Sequence, residues 1–124
     1  MLLTWKLARL SKYKDADITL IKELLENKTD CLIIDVRSRI SFAAGHIEGV
    51  TNVPYEDLKK RIPALAPRKD YPIYVHCLSG ERSLSACELL QRMGYERVTN
   101  LGGLIDWPYG LVEGYGALKR ISWK

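Results

Sequence analysis

Two short apolar runs constrain the fold more than anything else in this chain. Residues 31–36 read Cys-Leu-Ile-Ile-Asp-Val, and residues 71–77 read Tyr-Pro-Ile-Tyr-Val-His-Cys. Neither alternates strictly between apolar and polar residues, so each predicts a strand buried on both faces, as a parallel sheet requires. Helical patterns stand between and beside them. In residues 15–28, Ile18, Ile21, Leu24 and Leu25 fall on one helical face, Asp17 or Thr19 can cap the start, and Asn27 and Lys28 suit the C-terminal end. Residues 39–53 predict a short helical turn closed by Gly45, then a loop and an extended piece at Val53 before Pro54. Residues 55–66 predict a helix broken by Pro63. Residues 83–95 predict a helix whose buried stripe takes Leu84, Cys87, Leu90 and Leu89 or Met93, with Gly94 at C′. Its start is capped by Ser83 or Ser85, and Ser85 with Glu88 matches a capping box. Residues 96–107 read as a short strand followed by a Gly-Gly turn. Strands alternating with helices of this length predict right-handed βαβ crossovers, hence an α/β fold on a parallel sheet.

One domain accounts for all 124 residues, which are 47% hydrophobic and 27% charged. The net charge of +4 comes from scattered residues such as Lys6, Arg9, Lys59, Lys60, Arg61, Lys119 and Arg120. No cluster has the density of a nucleic-acid-binding arm, so no nucleic-acid partner is expected; the surplus reads first as a solvated basic surface and second as a mild preference for small anions. An odd set of cysteines, Cys31, Cys77 and Cys87, has no framework spacing and argues against a secreted disulfide scaffold. No stretch is apolar for long enough to span a bilayer, and residues 1–15 make a poor signal peptide because charges interrupt their apolar part. A cytoplasmic location and no membrane partner are the expectations. Residues 1–14 are basic and weakly patterned, equally readable as a short strand or an arm; the Gly-, Tyr- and Trp-containing tail of residues 109–124 has no assigned role.

The candidate site is Cys77-Leu78-Ser79-Gly80-Glu81-Arg82-Ser83, at a strand-to-helix turn. Open parallel sheets bind ligands at the carboxyl ends of their strands, where Cys77 falls. The same position lies just before a helix N-terminus, whose unpaired N–H groups and positive dipole end favour an anion. Cysteines so placed ionise at roughly pH 3.5 to 7.5 instead of about 8.5. Gly80 lets the loop curl so that successive N–H groups converge on the sulfur. Arg82 supplies either a cation at the pocket edge or a fork paired with a carboxylate beneath it. Cys31 and Cys87 sit in apolar patterns and read as core residues. A zinc site from Cys77, His76 and Cys87 lacks metal-ligand spacing, so no metal is expected. His76 faces the opposite side of its strand from its neighbours and reads as packing; His46, after Gly45, reads as a hydrogen-bonded structural histidine rather than a base.

Five motifs together resemble the single-domain rhodaneses: Asp35-Val-Arg-Ser38, residues 45–54 (Gly-His-Ile-Glu-Gly-Val-Thr-Asn-Val-Pro), residues 76–83 (His-Cys-Leu-Ser-Gly-Glu-Arg-Ser), Met93-Gly-Tyr95, and residues 101–107 (Leu-Gly-Gly-Leu-Ile-Asp-Trp). Each is weak alone; their shared order and spacing carry the likeness. It covers roughly residues 17–108, leaving residues 1–16 as an N-terminal extension and 109–124 as a tail. The resemblance implies a rhodanese-like α/β domain with about five parallel strands and helices on both faces. It implies a sulfurtransferase that needs no cofactor and takes sulfur from thiosulfate or a persulfide to cyanide, a thiol or a sulfur-relay protein. Cys77 matches the catalytic cysteine, Leu78 to Ser83 the anion- and persulfide-binding loop, and Asp35 and Arg37 supporting positions. Phosphatases and arsenate reductases on the same fold have one residue more between cysteine and arginine than the four here, Leu78 to Glu81. Glu81 also places a carboxylate near the pocket, which disfavours a phosphate dianion unless Arg82 or a lysine pairs it. Inactive binding modules of this fold commonly lack the cysteine. Leu78 stands where thiosulfate-using relatives often carry a basic residue, and Ile40 where relatives often carry an acidic one. The first of these shifts the expected donor toward persulfides.

Overall fold

The computed structural model describes residues 14–115. Its five strands are β1 (Lys14–Asp15), β2 (Leu32–Asp35), β3 (Thr51–Asn52), β4 (Ile73–Cys77) and β5 (Val98–Gly103). They form one sheet in the order β1-β5-β4-β2-β3, every neighbouring pair parallel. The helices are α1 (Leu20–Glu26), α2 (Arg39–Ala44), α3 (Leu58–Leu65) and α4 (Glu81–Arg92). Of the basic N-terminal stretch, residues 1–13 lie outside the described residues, while Lys14 and Asp15 form the edge strand β1 beside Thr99 and Asn100.

The unbroken apolar run of β2 is explained by two cores. Leu32 and Ile34 point into one, with Ile62 and Ala66 from the α3 side and Ala86, Leu89 and Leu90 of α4. Ile33 points into the other, with Ile18, Ile21 and Leu24 of the α1 region. On β4, Ile73, Val75 and Cys77 share the first core, and Tyr74 packs against the second. Both sides of each central strand are therefore apolar, and the usual period-2 polar signature is absent.

Local details differ from expectation in four places. Neither Asp17 nor Thr19 caps α1 with its side chain: Thr19 stands at the N-cap without a capping bond, and Asp17 Oδ1 instead closes a turn before the helix, accepting from the Thr19 N–H at 2.8 Å and the Thr19 hydroxyl at 2.9 Å. Leu25 does not share the buried stripe; it is part-exposed and lies over Gly49. Pro63 does not break α3, which runs on to Leu65. Proline costs one hydrogen bond and some strain there, and burial of Leu58 and Ile62 under the sheet offsets both. On α4 the buried residues are Ser83, Ala86, Cys87, Leu89 and Leu90, whereas Leu84 is part-exposed. That stripe is rotated from the expected one toward Ser83, whose N–H and hydroxyl lie against the Cys77 sulfur, so Leu84 falls at its edge.

Candidate active site

Cys77 ends β4, and Gly80 begins the turn into α4 with φ 103°, a left-handed conformation that costs glycine little. This geometry folds the loop back on the sulfur. Cys77 Sγ accepts from the Gly80 N–H at 3.0 Å and from the Ser83 N–H at 3.3 Å. Ser83 Oγ lies 3.4 Å from the sulfur and donates to the Gly80 carbonyl at 3.1 Å. Ser83 is thus not the expected helix cap. It sits within the first turn, fully buried, and belongs to the sulfur's cradle. Ser85 does not cap either, since the helix has begun before it.

The floor of the loop is β5. A register shift opposite Val75 and His76 pairs Asn100 and then Gly102 with consecutive residues of β4, so Leu101 is an extra residue. Gly102 takes φ 80° at this bulge, and its N–H donates to Asn100 Oδ1 at 3.0 Å. Gly103 then lies under the loop: a Cβ there would stand 2.5 Å from the Leu78 carbonyl oxygen and 2.9 Å from Ser79 Cα. The residue pair expected to form a turn is therefore the end of a strand, and its second glycine permits backbone contact. The N–H of Ile105 completes the attachment by donating to the Leu78 carbonyl at 3.2 Å.

Above the sulfur opens a pocket of about 370 Å³, lined by Arg37, Ser38, Ser41, Cys77, Leu78, Ser79, Glu81 and Arg82. Asp35 lies behind it, fully buried, and receives Arg37 side-on: Nε at 3.1 and 3.0 Å from the two oxygens and Nη2 at 2.8 Å. Arg37 Nη2 also donates to the Gly45 carbonyl at 2.7 Å. Arg82 is exposed at the rim; among the described residues it pairs with no carboxylate, so it is the cation at the pocket edge rather than the buried fork. Leu78 is 52% exposed at the same rim. Ser38 and Ser41 were not singled out from the sequence. Ser38 caps α2, accepting from the Ser41 N–H at 3.1 Å, and this cap directs both hydroxyls to the pocket side. The serine following Asp-Val-Arg was the available signal.

The remaining titratable candidates lie apart from the pocket. His46 is buried, stacks on Phe42 with centroids 3.7 Å apart, and has Nδ1 2.8 Å from the Phe42 carbonyl. His76 is fully buried with Nε2 3.9 Å from Asp35 Oδ2. Burial pushes its pKa down against the opposing pull of Asp35, which keeps the ring neutral near pH 7. Cys87 is fully buried on α4, and burial pushes its thiol up to about 12. Cys31 is only half-buried, against the second core; burial and the neighbouring Asp30 push its thiol up too.

Comparison with known proteins follows the same residues. The rhodanese-like domain model matches residues 17–108. The chain is 38% identical over 81 residues to the thiosulfate sulfurtransferase PspE of Escherichia coli (strain K12), covering 65% of this chain and 78% of that protein. It is 33% identical over 94 residues to a sulfurtransferase of Allochromatium vinosum, covering 75% of this chain and 86% of the relative. Among solved structures, a rhodanese with anions from E. coli superposes with a TM-score of 0.62 at 37% identity, covering 67% of this chain and 98% of that one.

Proposed function

The chain belongs to the rhodanese-like domain family, and on that premise we propose that it is a thiosulfate sulfurtransferase-type enzyme working through a persulfide on Cys77. The observation that carries this reading is the pair of backbone N–H groups, from Gly80 and Ser83, aimed at Cys77 Sγ. Two such donors at a helix N-terminus stabilise negative charge carried by the sulfur during transfer. The Cys77 thiolate attacks the outer sulfur of thiosulfate. A sulfur–sulfur bond forms to Cys77, the one within thiosulfate breaks, and sulfite leaves with the electron pair. The persulfide anion that remains bears its charge on the terminal sulfur, within the pocket. Cyanide or a thiolate then attacks that terminal sulfur, the Cys77–sulfur bond breaks, and the Cys77 thiolate is restored with thiocyanate or a new persulfide as product. This double displacement gives ping-pong kinetics.

Arg37 and Arg82 provide positive charge around the pocket for an anionic donor, while the exposed Leu78 offers contact to an organic persulfide. A protein persulfide presented to the same mouth fits the reading equally, and so does a cytoplasmic location, where thiols stay reduced. The outward Arg82 and the short loop count against oxyanion wrapping of the phosphatase kind. Intact-mass spectrometry tests the proposal. Thiosulfate adds one sulfur atom to the wild type and none to Cys77→Ser, and cyanide then removes it as thiocyanate. A wild type that gains no sulfur from thiosulfate or from an organic persulfide sinks the reading.

A further inference from the structure

Arg37 is held at two points. Asp35 grips Nε and Nη2, and the Gly45 carbonyl takes a further Nη2 bond at 2.7 Å. Nη1 has no partner among the described residues, on a side chain that lines the pocket of Cys77. The Gly45 carbonyl belongs to the same peptide group as the His46 N–H. That N–H donates to the Val112 carbonyl at 2.9 Å, and the Val112 N–H returns a bond to the His46 carbonyl at 2.8 Å. The Gly114 N–H donates to the Ala43 carbonyl at 2.8 Å, and Leu111 Cδ1 fills the place beside Gly45, 3.2 Å from where a Cβ would stand. Residues 111–114 are thus strapped across the turn on either side of Gly45. They lie beyond the family match, which ends at residue 108.

We propose that the strap Leu111–Gly114 is a positioning element for Arg37: by fixing the Gly45–His46 peptide plane it aims the guanidinium at an anionic sulfur donor. A peptide group is rigid and planar, so holding its N–H fixes the direction of its C=O. Val112 and Arg37 grip the two ends of one plate. Without Val112 the plate is free to turn, because glycine at position 45 resists rotation less than any other residue. Bonds to both ends of one amide also polarise it, which strengthens the carbonyl as an acceptor for Arg37. The proposal rests on Cys77 being the reactive thiol of the pocket, but not on sulfur transfer itself.

The test uses the full chain and two alkylating reagents of equal chemistry, anionic iodoacetate and neutral iodoacetamide. In each case a sulfur–carbon bond forms at Cys77 and iodide leaves with the electron pair. Peptide mass spectrometry gives both rates at Cys77. Val112→Pro leaves the carbonyl that holds the plate but removes the returning bond from the Val112 N–H to the His46 carbonyl, which keeps that carbonyl in place; Gly114→Pro removes the bond to the Ala43 carbonyl while forbidding the φ of 99° found there. Each lowers the iodoacetate-to-iodoacetamide ratio about fivefold, the factor one hydrogen bond of ordinary net strength carries. The iodoacetamide rate holds, and the KM for thiosulfate rises with kcat unchanged. In an Arg37→Ala background the strap variants lower the ratio no further. A wild-type ratio in both variants would falsify the proposal. So would an equal fall in the Arg37→Ala background, or loss of the folded state in both variants, which would make the strap purely structural. A changed ratio in a protein that transfers no sulfur would sink the proposed function and leave this inference standing.

Discussion

Cys77 and Cys87 are chemically the same residue with opposite surroundings. Cys77 meets two N–H donors and a pocket; Cys87 meets only the core, which pushes its thiol up to about 12. At pH 8 iodoacetamide therefore labels Cys77 in the native protein and leaves Cys87 untouched until denaturant is added, a pattern peptide mapping reads directly. The buried thiol also links folding to pH. Its ionisation occurs near 9.0, the ordinary value of the thiol, in the unfolded chain and near 12 in the folded one. Between these values the unfolded state binds fewer protons, so stability falls as pH rises, by at most about 1.4 kcal/mol per pH unit from this group. Urea titrations of wild type and Cys87→Ala should differ in slope across that window and run parallel below it. Equal slopes throughout would show that Cys87 ionises alike in both states. Ser83 shows what single residues conceal. From the sequence it reads both as a possible helix cap and as the last residue of the Cys77 loop; only the second holds, because where Gly80 turns the chain decides that its N–H and hydroxyl face the sulfur.

At the level of elements, β5 and the loop it supports separate two kinds of glycine. Gly102 has φ 80° and open space around its missing Cβ, so Gly102→Ala costs backbone strain alone, about 1 kcal/mol of stability, with sulfur transfer nearly unchanged. Gly103→Ala drives a methyl into the Leu78 carbonyl and Ser79 Cα and displaces the loop. It should lower kcat/KM for thiosulfate at least tenfold, since a shift of about 1 Å at a positioned group can cost more than that. Steady-state assays and thermal melts on the pair decide the matter; equal activities would remove β5 from the account of the site. The Cys77 loop was readable because it is contiguous and its chemistry lies within seven residues. The β5 floor was not, because a bulge and a close approach across the sheet leave only two adjacent glycines as a trace, and a turn leaves the same trace. Likewise β1 and β3 have two residues each, too short for any periodicity to show.

On the scale of the whole molecule, one sheet divides two apolar cores that its strands hold in common. Ile21 and Ile62 are each fully buried on opposite sides of it. Alanine at either should cost about 2–5 kcal/mol. The double variant should lose close to the sum, because the two side chains lie in separate cores. A single transition in urea is expected, as neither core can persist without the sheet; two separated transitions would contradict that. This architecture was legible from the two apolar runs and the helices between them. The strap was not, since nothing local in residues 109–115 announces a bond to a turn more than sixty residues earlier. One outer strand, β3, carries a consequence for handling the protein. It offers only Thr51 and Asn52, and the Asn52 carbonyl is taken by Arg61 Nη1 at 2.9 Å. A second chain seeking to add a strand along this margin finds almost no row of vacant peptide groups to copy, so concentrated solutions should resist edge-to-edge aggregation there.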